Sequence, residues 1–508
     1  MTRQETINNV LWRACDTFRG KIDSSTYKDF ILVMLFVKYL SDVHKERVER
    51  LNQEYKGEPE RIERALRRGR FSLREEATFD YFYSKRKEPN IGEIINKGLM
   101  ALEEDNKTKL RGVFRNIDFN SEAVLGSTRD RNAMIRSLLE DFNTKALDLR
   151  PSMLGDMDVI GNSYEYLISR FASDAGKKGG EFFTPSEVSE LLARLVKPKE
   201  NDRIYDPTAG SGSLLIRAAN QVADRKVAIY GQERNGQTHS LCMMNMFLHE
   251  IDDARIEWGD TISNPRHLVD NQLMKFQVVV ANPPFSLDKW AMGFAGDSEE
   301  KFKMDGSLDR HRRFDWGVPP ASRGDYAFVQ HMIHSLAENG RMAVVLPHGV
   351  LFRGASEGKI RKQIIKNNLL DAVIGLPEKL FYGTGIPACI MVFKKNRSKE
   401  EVLFIDASGE GNYEKGKNQN RLGMKDIEKI IETHEKFETV DKYSYLASKE
   451  EIEDNDYNLN IPRYVDTFEE EEPVDMEKVK ENILEVKREL RKVEVEMEKY
   501  LEELFGGN

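Results

Sequence analysis

The spacing of apolar positions changes twice along this chain of 508 residues. Up to about residue 165 they recur at helical intervals. "SSTYKDFILVMLFVKYLSDVHKERVERLNQEY" predicts a long helix with Ser24 or Ser25 as its N-cap. "RNAMIRSLLEDFNTKALDL" and "DVIGNSYEYLISRFASD" predict further helices, and the glycine-rich "AGKKGGEFFTPSE" marks a boundary. From about 200 to 410 short apolar strands alternate with helical stretches. The strands are "DRIYD", "VAIYGQE", "RIEWGD", "FQVVVAN", "RMAVVLP", "LDAVIGLP", "ACIMVFKK" and "VLFIDAS"; "SLLIRAANQVADR" and "DYAFVQHMIHSLAENG" read as helices. After the acidic linker "FEEEEP" the period is helical again. Met476, Val479, Ile483, Val486, Leu490, Val493, Met497, Tyr500 and Leu504 keep an unbroken spacing of three and four.

This order predicts an α/β class with a doubly wound, mostly parallel sheet, preceded by an all-helical domain and followed by a coiled-coil-like helical tail. The expected divisions are a helical domain at 1–165, an α/β domain at 166–420, a connecting region at 421–473 and a heptad helix at 474–508. The heptad seam requires another helix to bury it, or else packs on its own domain. An irregular insertion at 286–324 carries Lys301, Lys303, Arg310, Arg312 and Arg313 beside Phe302, Phe314 and Trp316. A loop of that length in a compact domain serves a function or lacks order, and ordering on ligand binding is the expectation.

Composition narrows the choices. A net charge of −9 gives the whole chain no general attraction for nucleic acid, so any such contact needs a local patch or a partner. "FILVMLFV" is too short to span a bilayer. Three widely spaced cysteines, Cys15, Cys242 and Cys389, point to reduced thiols and a cytoplasmic protein.

Ligands of doubly wound sheets bind at the carboxyl ends of the strands, and there the chain concentrates its chemistry. "RIYDPTAGSGSLL" ends a strand at Asp206 and turns through Gly210 and Gly212, letting backbone approach a ligand before a helix begins. It lacks the Gly-Lys-Ser/Thr of a nucleotide P-loop and the third glycine of the dinucleotide fingerprint. Glu233 ends the next strand, 23 positions after Gly210, where ribose-binding folds place a carboxylate. Asp260 ends a third strand and either accepts from an adenine amine or caps a turn. The fourth strand stops in Asn282-Pro283-Pro284-Phe285. An exocyclic aromatic amine is a poor nucleophile because its lone pair is delocalised into the ring. Two acceptors on its N–H bonds, the Asn282 side-chain carbonyl and the Pro283 backbone carbonyl, draw the nitrogen toward tetrahedral geometry. Phe285 offers a face to a base swung out of a helix. Thr184-Pro185-Ser186-Glu187 predicts a capping box, with Thr184 as N-cap, Pro185 at N1 and Glu187 at N3. Phe182 and Phe183 form an exposed aromatic pair suited to closing over a cofactor, and Phe381 or Tyr382 is a candidate second wall of a base pocket. His331 and His334 read as surface or packing residues, and no metal cluster is expected.

"FFTP", "DPTAGSGS", "NPPF" and "GLPEKLFYGTG", in this order, resemble amino-group DNA methyltransferases that use S-adenosylmethionine. With "LWRACDTFRGKIDSSTYKDFILVMLFVKYLSD" and "YNLNIPRYV", the likeness extends over nearly the whole chain to the modification (M) subunit of type I restriction-modification systems. The resemblance implies the S-adenosylmethionine-dependent methyltransferase fold and N6-adenine methylation. By it, Glu181, Phe182, Phe183, Thr184, Pro185 and Ser186 match the N-terminal cofactor motif. Asp206 with Thr208, Ala209, Gly210, Ser211, Gly212 and Ser213 matches the loop at the methionine end of the cofactor; Glu233 matches the ribose ligand, Asp260 the cofactor-adenine position, and Asn282 to Phe285 the catalytic tetrad. It further implies double-stranded DNA with a flipped adenine, a separate specificity (S) subunit that reads the site, a second M subunit, and a restriction (R) subunit. The tail becomes a contact for the specificity subunit. Similar tetrads serve N4-cytosine, RNA guanine-amine and protein glutamine methylation, which stay as alternatives.

Overall fold

The computed structural model describes residues 2–155, 158–175, 183–294, 304–382, 385–417, 419–467 and 476–505. Residues 1–465 make one compact unit and 466–508 a second.

In the first unit the long helix spans Ser24–Glu54. Its run from Phe30 to Val37 is buried on every side, as expected of a helix apolar all round at the centre of a bundle. Ser24 is its first helical residue, and the carbonyl of Asp23 accepts from the N–H groups of Thr26 and Tyr27 at 2.9 and 3.0 Å. The cap position is thus Asp23, not Ser24 or Ser25. The Asp158–Asp174 helix packs along it.

The strands are β1 (Arg203–Asp206), β2 (Ala228–Glu233), β3 (Arg255–Trp258), the short pair β4 (Leu268–Val269) and β5 (Gln272–Leu273), β6 (Phe276–Ala281), β7 (Leu336–Pro347), β8 (Leu370–Gly375), β9 (Ala388–Lys394), β10 (Val402–Asp406) and β11 (Ser444–Ala447). Apart from the β4-β5 hairpin they join one sheet in the order β11-β10-β8-β9-β7-β6-β1-β2-β3. All pairings are parallel except those of β9 with β7 and β8 and of β11 with β10. All eight expected strands form. The hairpin and β11 were not anticipated; the two-residue strands of the hairpin carry too few alternations to register.

The helix expected to reach Gly340 stops at Ser335, and β7 takes over at Leu336. Its pairing then slips, from Phe276 opposite Leu336 to Val278 opposite Arg341.

Both faces of the sheet are covered. One carries the Ser186–Val196, Ser213–Asn220 and Met424–Lys436 helices, the other Asp325–Ser335 and Ala355–Lys366. The Gly236–Leu248 helix is shared. Cys242 and Met246 face the sheet core, while Leu241, Met244, Phe247 and Leu248 enter the core of the helical region. Asp252 fastens the same junction. It accepts both arms of Arg70, at 2.6 and 2.7 Å, and Lys109 Nζ at 3.0 Å.

Much of the long insertion is packed. Trp290 and Phe314 are buried with Ile262 and Phe328, and Ser286 N–H donates to Asp325 at 2.7 Å, closing the loop at its root. Arg313 is fully buried. It forms a two-armed bond with Asp309 at 3.0 and 2.8 Å, reaches the carbonyls of Thr261 and Ile262, and meets His331 Nδ1 at 3.0 Å. The described parts of the loop, 286–294 and 304–324, are thus packed on the domain, and Arg313 is an internal anchor. Lys301, Phe302 and Lys303 lie outside the described residues.

The second unit contains the Met476–Phe505 helix. Its apolar residues from Val479 to Leu504 are exposed, by 38% to 75% along the seam. No helix among the described residues is long and apolar enough to cross a membrane.

Candidate active site

The sheet turns back on itself at β1, which pairs with β2 on one side and β6 on the other. At such a switch point the connections leave in opposite directions and open a crevice at the carboxyl ends of the strands. The chain sets Asp206 on one lip and Asn282 on the other.

After Asp206 the loop turns through Gly210 and Gly212, both left-handed at φ +55° and +81°. A Cβ on Gly212 would stand 2.6 Å from Met246 Cε and 2.9 Å from Cys242 Sγ, so the left-handed φ favours glycine and any side chain would also have to displace these two. Thr208 N–H donates to Asp206 Oδ1 at 2.8 Å. Glu233 spans the neighbouring turns, accepting from Gly210 N–H at 3.0 Å and from Asn235 N–H at 2.7 Å. Burial raises both carboxyl groups, Asp206 to about 7 with a further push from the Glu233 charge, and Glu233 to about 6. Ser211 and Ser213 share a hydroxyl contact at 2.9 Å beneath the loop.

Asp260 takes the capping role of its two anticipated ones, with its second oxygen on an arginine. Oδ1 caps a turn by accepting from Ile262 and Ser263 N–H at 2.8 and 3.0 Å, while Oδ2 lies 3.4 Å from Arg234 at the cavity wall.

On the other lip, the Nδ2 of Asn282 donates to Thr184 Oγ1 at 3.0 Å. This bond replaces the expected capping box. The helix begins at Ser186 with Pro185 at its N-cap and no side-chain cap, because the Thr184 hydroxyl is turned to Asn282. Among the described residues no donor meets the Asn282 Oδ1. With the amide nitrogen committed to Thr184, that oxygen is the free acceptor. Pro283 is buried, Pro284 exposed and Phe285 half-buried.

The aromatic candidates separate. Phe381 is buried and meets Phe285 edge-to-face, with centroids 5.7 Å apart at 71°. Tyr382 instead pairs with Phe183 at 5.9 Å. Phe183 is buried, which corrects the expectation of an exposed pair; Glu181 and Phe182 lie outside the described residues.

The cavity has two parts. A narrow one of about 20 Å³ lies among Thr184, Asp206, the Thr208–Ser211 loop and Asn282. A wide one of about 720 Å³ is bounded by Glu233, Asp260, Asn282, Pro284 and Trp290. Thr208 and Asn282 border both. The wide part also receives Thr26 and Lys28 from the first two turns of the Ser24–Glu54 helix. These two were missed in the sequence, where nothing local distinguishes them; the fold brings them some 180 positions toward the glycine loop.

The chain matches the N-6 DNA Methylase family over residues 155–473 and the HsdM N-terminal domain over 7–142. It is 33% identical to a type I restriction enzyme methylase subunit of Mycoplasma pneumoniae, over 94% of this chain and 93% of that one. It is 33% identical to one from Methanocaldococcus jannaschii, over 98% and 84%. The crystal structure of a type I restriction-modification methyltransferase subunit from Streptococcus thermophilus superposes with a TM-score of 0.77 at 34% identity, covering 92% of this chain and all of that one. Motifs, sheet order and matches over nearly the full length agree: the chain belongs to the N-6 DNA methylases, among the methylase subunits of type I restriction enzymes.

Proposed function

We propose that the crevice between β1 and β6 binds S-adenosylmethionine and a flipped adenine of double-stranded DNA, and that Asn282 directs methylation of the adenine N6. The observation that carries this reading is the Thr184–Asn282 hydrogen bond, which leaves the Asn282 Oδ1 free at the junction of the two cavities. The donor set suits that cofactor: buried Asp206 beside the glycine turn fits a cationic amino-acid end, and Glu233 fits a diol. S-adenosylmethionine, when bound, supplies an electrophilic methyl group on a sulfonium.

The protein's own part is positioning. Asn282 Oδ1 and the Pro283 carbonyl take the two N–H bonds of the amine and aim its lone pair into the crevice. Phe285 packs on the base, with Phe381 fixing the Phe285 ring from behind. No strong base is required, because the amine becomes acidic only as it gains its substituent.

The remaining assignments follow the same reading. Thr208 to Ser213 line the methionine end, Asp260 faces the cofactor adenine, and Glu181 to Ser186 close over it. The four divisions at 1–165, 166–420, 421–473 and 474–508 correspond to a clamp, a catalytic domain, a connector and a docking helix. The chain works in the cytoplasm with a specificity subunit, a second copy of itself and a restriction subunit. The test is transfer of a labelled methyl group to DNA by this chain with and without a co-expressed specificity subunit. Labelling with the pair is expected; none under either condition would contradict the proposal.

A further inference from the structure

A separate cavity of about 610 Å³ lies between the helical region and the free edge of the sheet. Its helical wall presents Lys107, Lys109, Arg111 and Arg115; its sheet wall presents Arg255 and Arg266. One carboxylate, Glu257, lines it against these six cations, in a chain whose net charge is −9. Lys109 is taken up by Asp252 at 3.0 Å, and Lys107 lies 3.7 Å from Glu104. Among the described residues no carboxylate stands within ion-pair distance of Arg111, Arg115, Arg255 or Arg266. Arg255 lies over the Tyr230 ring, 5.6 Å from its centroid, and cations in this excess over one lining carboxylate favour an incoming anion.

The floor is the indole of Trp258, 47% exposed. Its Nε1–H donates to the Arg234 carbonyl at 3.0 Å, and the Arg115 guanidinium lies 5.0 Å from its centroid. The ring is pinned, and it carries one of the cations.

Position selects the anion. Gly236 and His239 face this groove, while Gln237 and Thr238 of the same helical turn face the wide cavity that holds Asn282. The groove thus adjoins the wide cavity, and an anion that engages both it and Asn282 has to be a polymer. Guanidinium forks match the paired oxygens of phosphates. We infer that this groove binds backbone phosphates of the DNA flanking the target base, with Arg111 and Arg115 on one side and Arg255 and Arg266 on the other. The inference rests on the reading of DNA as substrate, and adds a contact surface outside the methyl-transfer pocket.

The test uses the assembly of this chain with its specificity subunit and follows binding of a labelled duplex across salt concentrations. The double variant Arg111→Gln/Arg255→Gln removes two phosphate contacts, so the slope of log affinity against log salt falls by about 1.8. The loss is expected equally on specific and unrelated duplexes, because phosphates carry no sequence. Arg111→Lys/Arg255→Lys keeps the slope, and S-adenosylmethionine affinity is unchanged in both. An unchanged slope in the glutamine variant overturns the inference. So does loss of subunit assembly at an unchanged slope, which would mark the groove as a seat for an acidic protein segment. If the unaltered assembly fails to methylate DNA, the functional reading falls and the groove's assignment with it.

Discussion

Asn282 is useful to a nucleophilic amine only if its amide points the right way, and Thr184 decides that. Without the Thr184 hydroxyl the amide is free to rotate and to present N–H where a lone-pair acceptor is needed. Thr184→Val keeps the shape and removes the acceptor. It is expected to lower kcat by about tenfold, the worth of one hydrogen bond of roughly 1 kcal/mol or slightly more, with little change in KM for S-adenosylmethionine. Thr184→Ser restores the rate, and steady-state kinetics of the three forms check this. The two raised carboxyls add a pH dependence. Their native values lie above those of the unfolded chain, so the fold holds extra protons between about pH 4 and about pH 7 and loses stability as pH rises through that window. A cationic ligand has the opposite preference, needing Asp206 and Glu233 ionised. Affinity for S-adenosylmethionine is expected to weaken as pH falls below about 7, with proton release on binding near that pH, both measurable by calorimetry in buffers of different ionisation enthalpy. The residues of this site were largely legible in the sequence, because glycine turns and a proline pair have local signatures. The Thr184–Asn282 bond was not, since it joins positions 98 apart and its threonine also fitted a helix-capping pattern.

Among the elements, the insertion after the tetrad departs most from what its sequence suggested. Its length and its five cations beside aromatics read as a loop that serves a function or lacks order until a ligand binds. Yet Arg313 is spent inside, tying Asp309 to the segment that follows Asp260 and so linking the substrate-side loop to the cofactor-side turn. Nothing in the local pattern separates Arg313 from Arg310 or Arg312, because burial is settled by the partner carbonyls of Thr261 and Ile262, some fifty positions away. Arg313→Met leaves the buried Asp309 without its cation and is expected to cost about 3 kcal/mol or more in denaturant unfolding. The double variant Arg313→Met/Asp309→Leu should recover most of that. A loss under about 1 kcal/mol in the single variant would mean the pair does not hold the loop. The sheet strands, by contrast, were legible nearly one for one, because most are short apolar runs that end at a glycine, proline or acidic residue and alternate with helical stretches.

At the scale of the molecule, the helical region shares a core with the Gly236–Leu248 helix and sends Thr26 and Lys28 to the cofactor cavity wall. It thus borders both the proposed site and the proposed phosphate groove, which neither half of the sequence discloses alone. The tail helix is the other whole-molecule feature. An exposed apolar seam from Val479 to Leu504 calls for a helical partner, and deletion of residues 474–508 is expected to abolish co-purification with the specificity subunit while leaving S-adenosylmethionine binding intact. Normal assembly of the truncated chain would assign the seam elsewhere. The account as a whole turns on one product. DNA treated with the assembly and S-adenosylmethionine, then digested to nucleosides, should yield N6-methyl-2′-deoxyadenosine from the unaltered chain and none from Asn282→Ala, whose cofactor affinity stays normal. N4-methyl-2′-deoxycytidine in place of the adenine product, or an active Asn282→Ala, would contradict it.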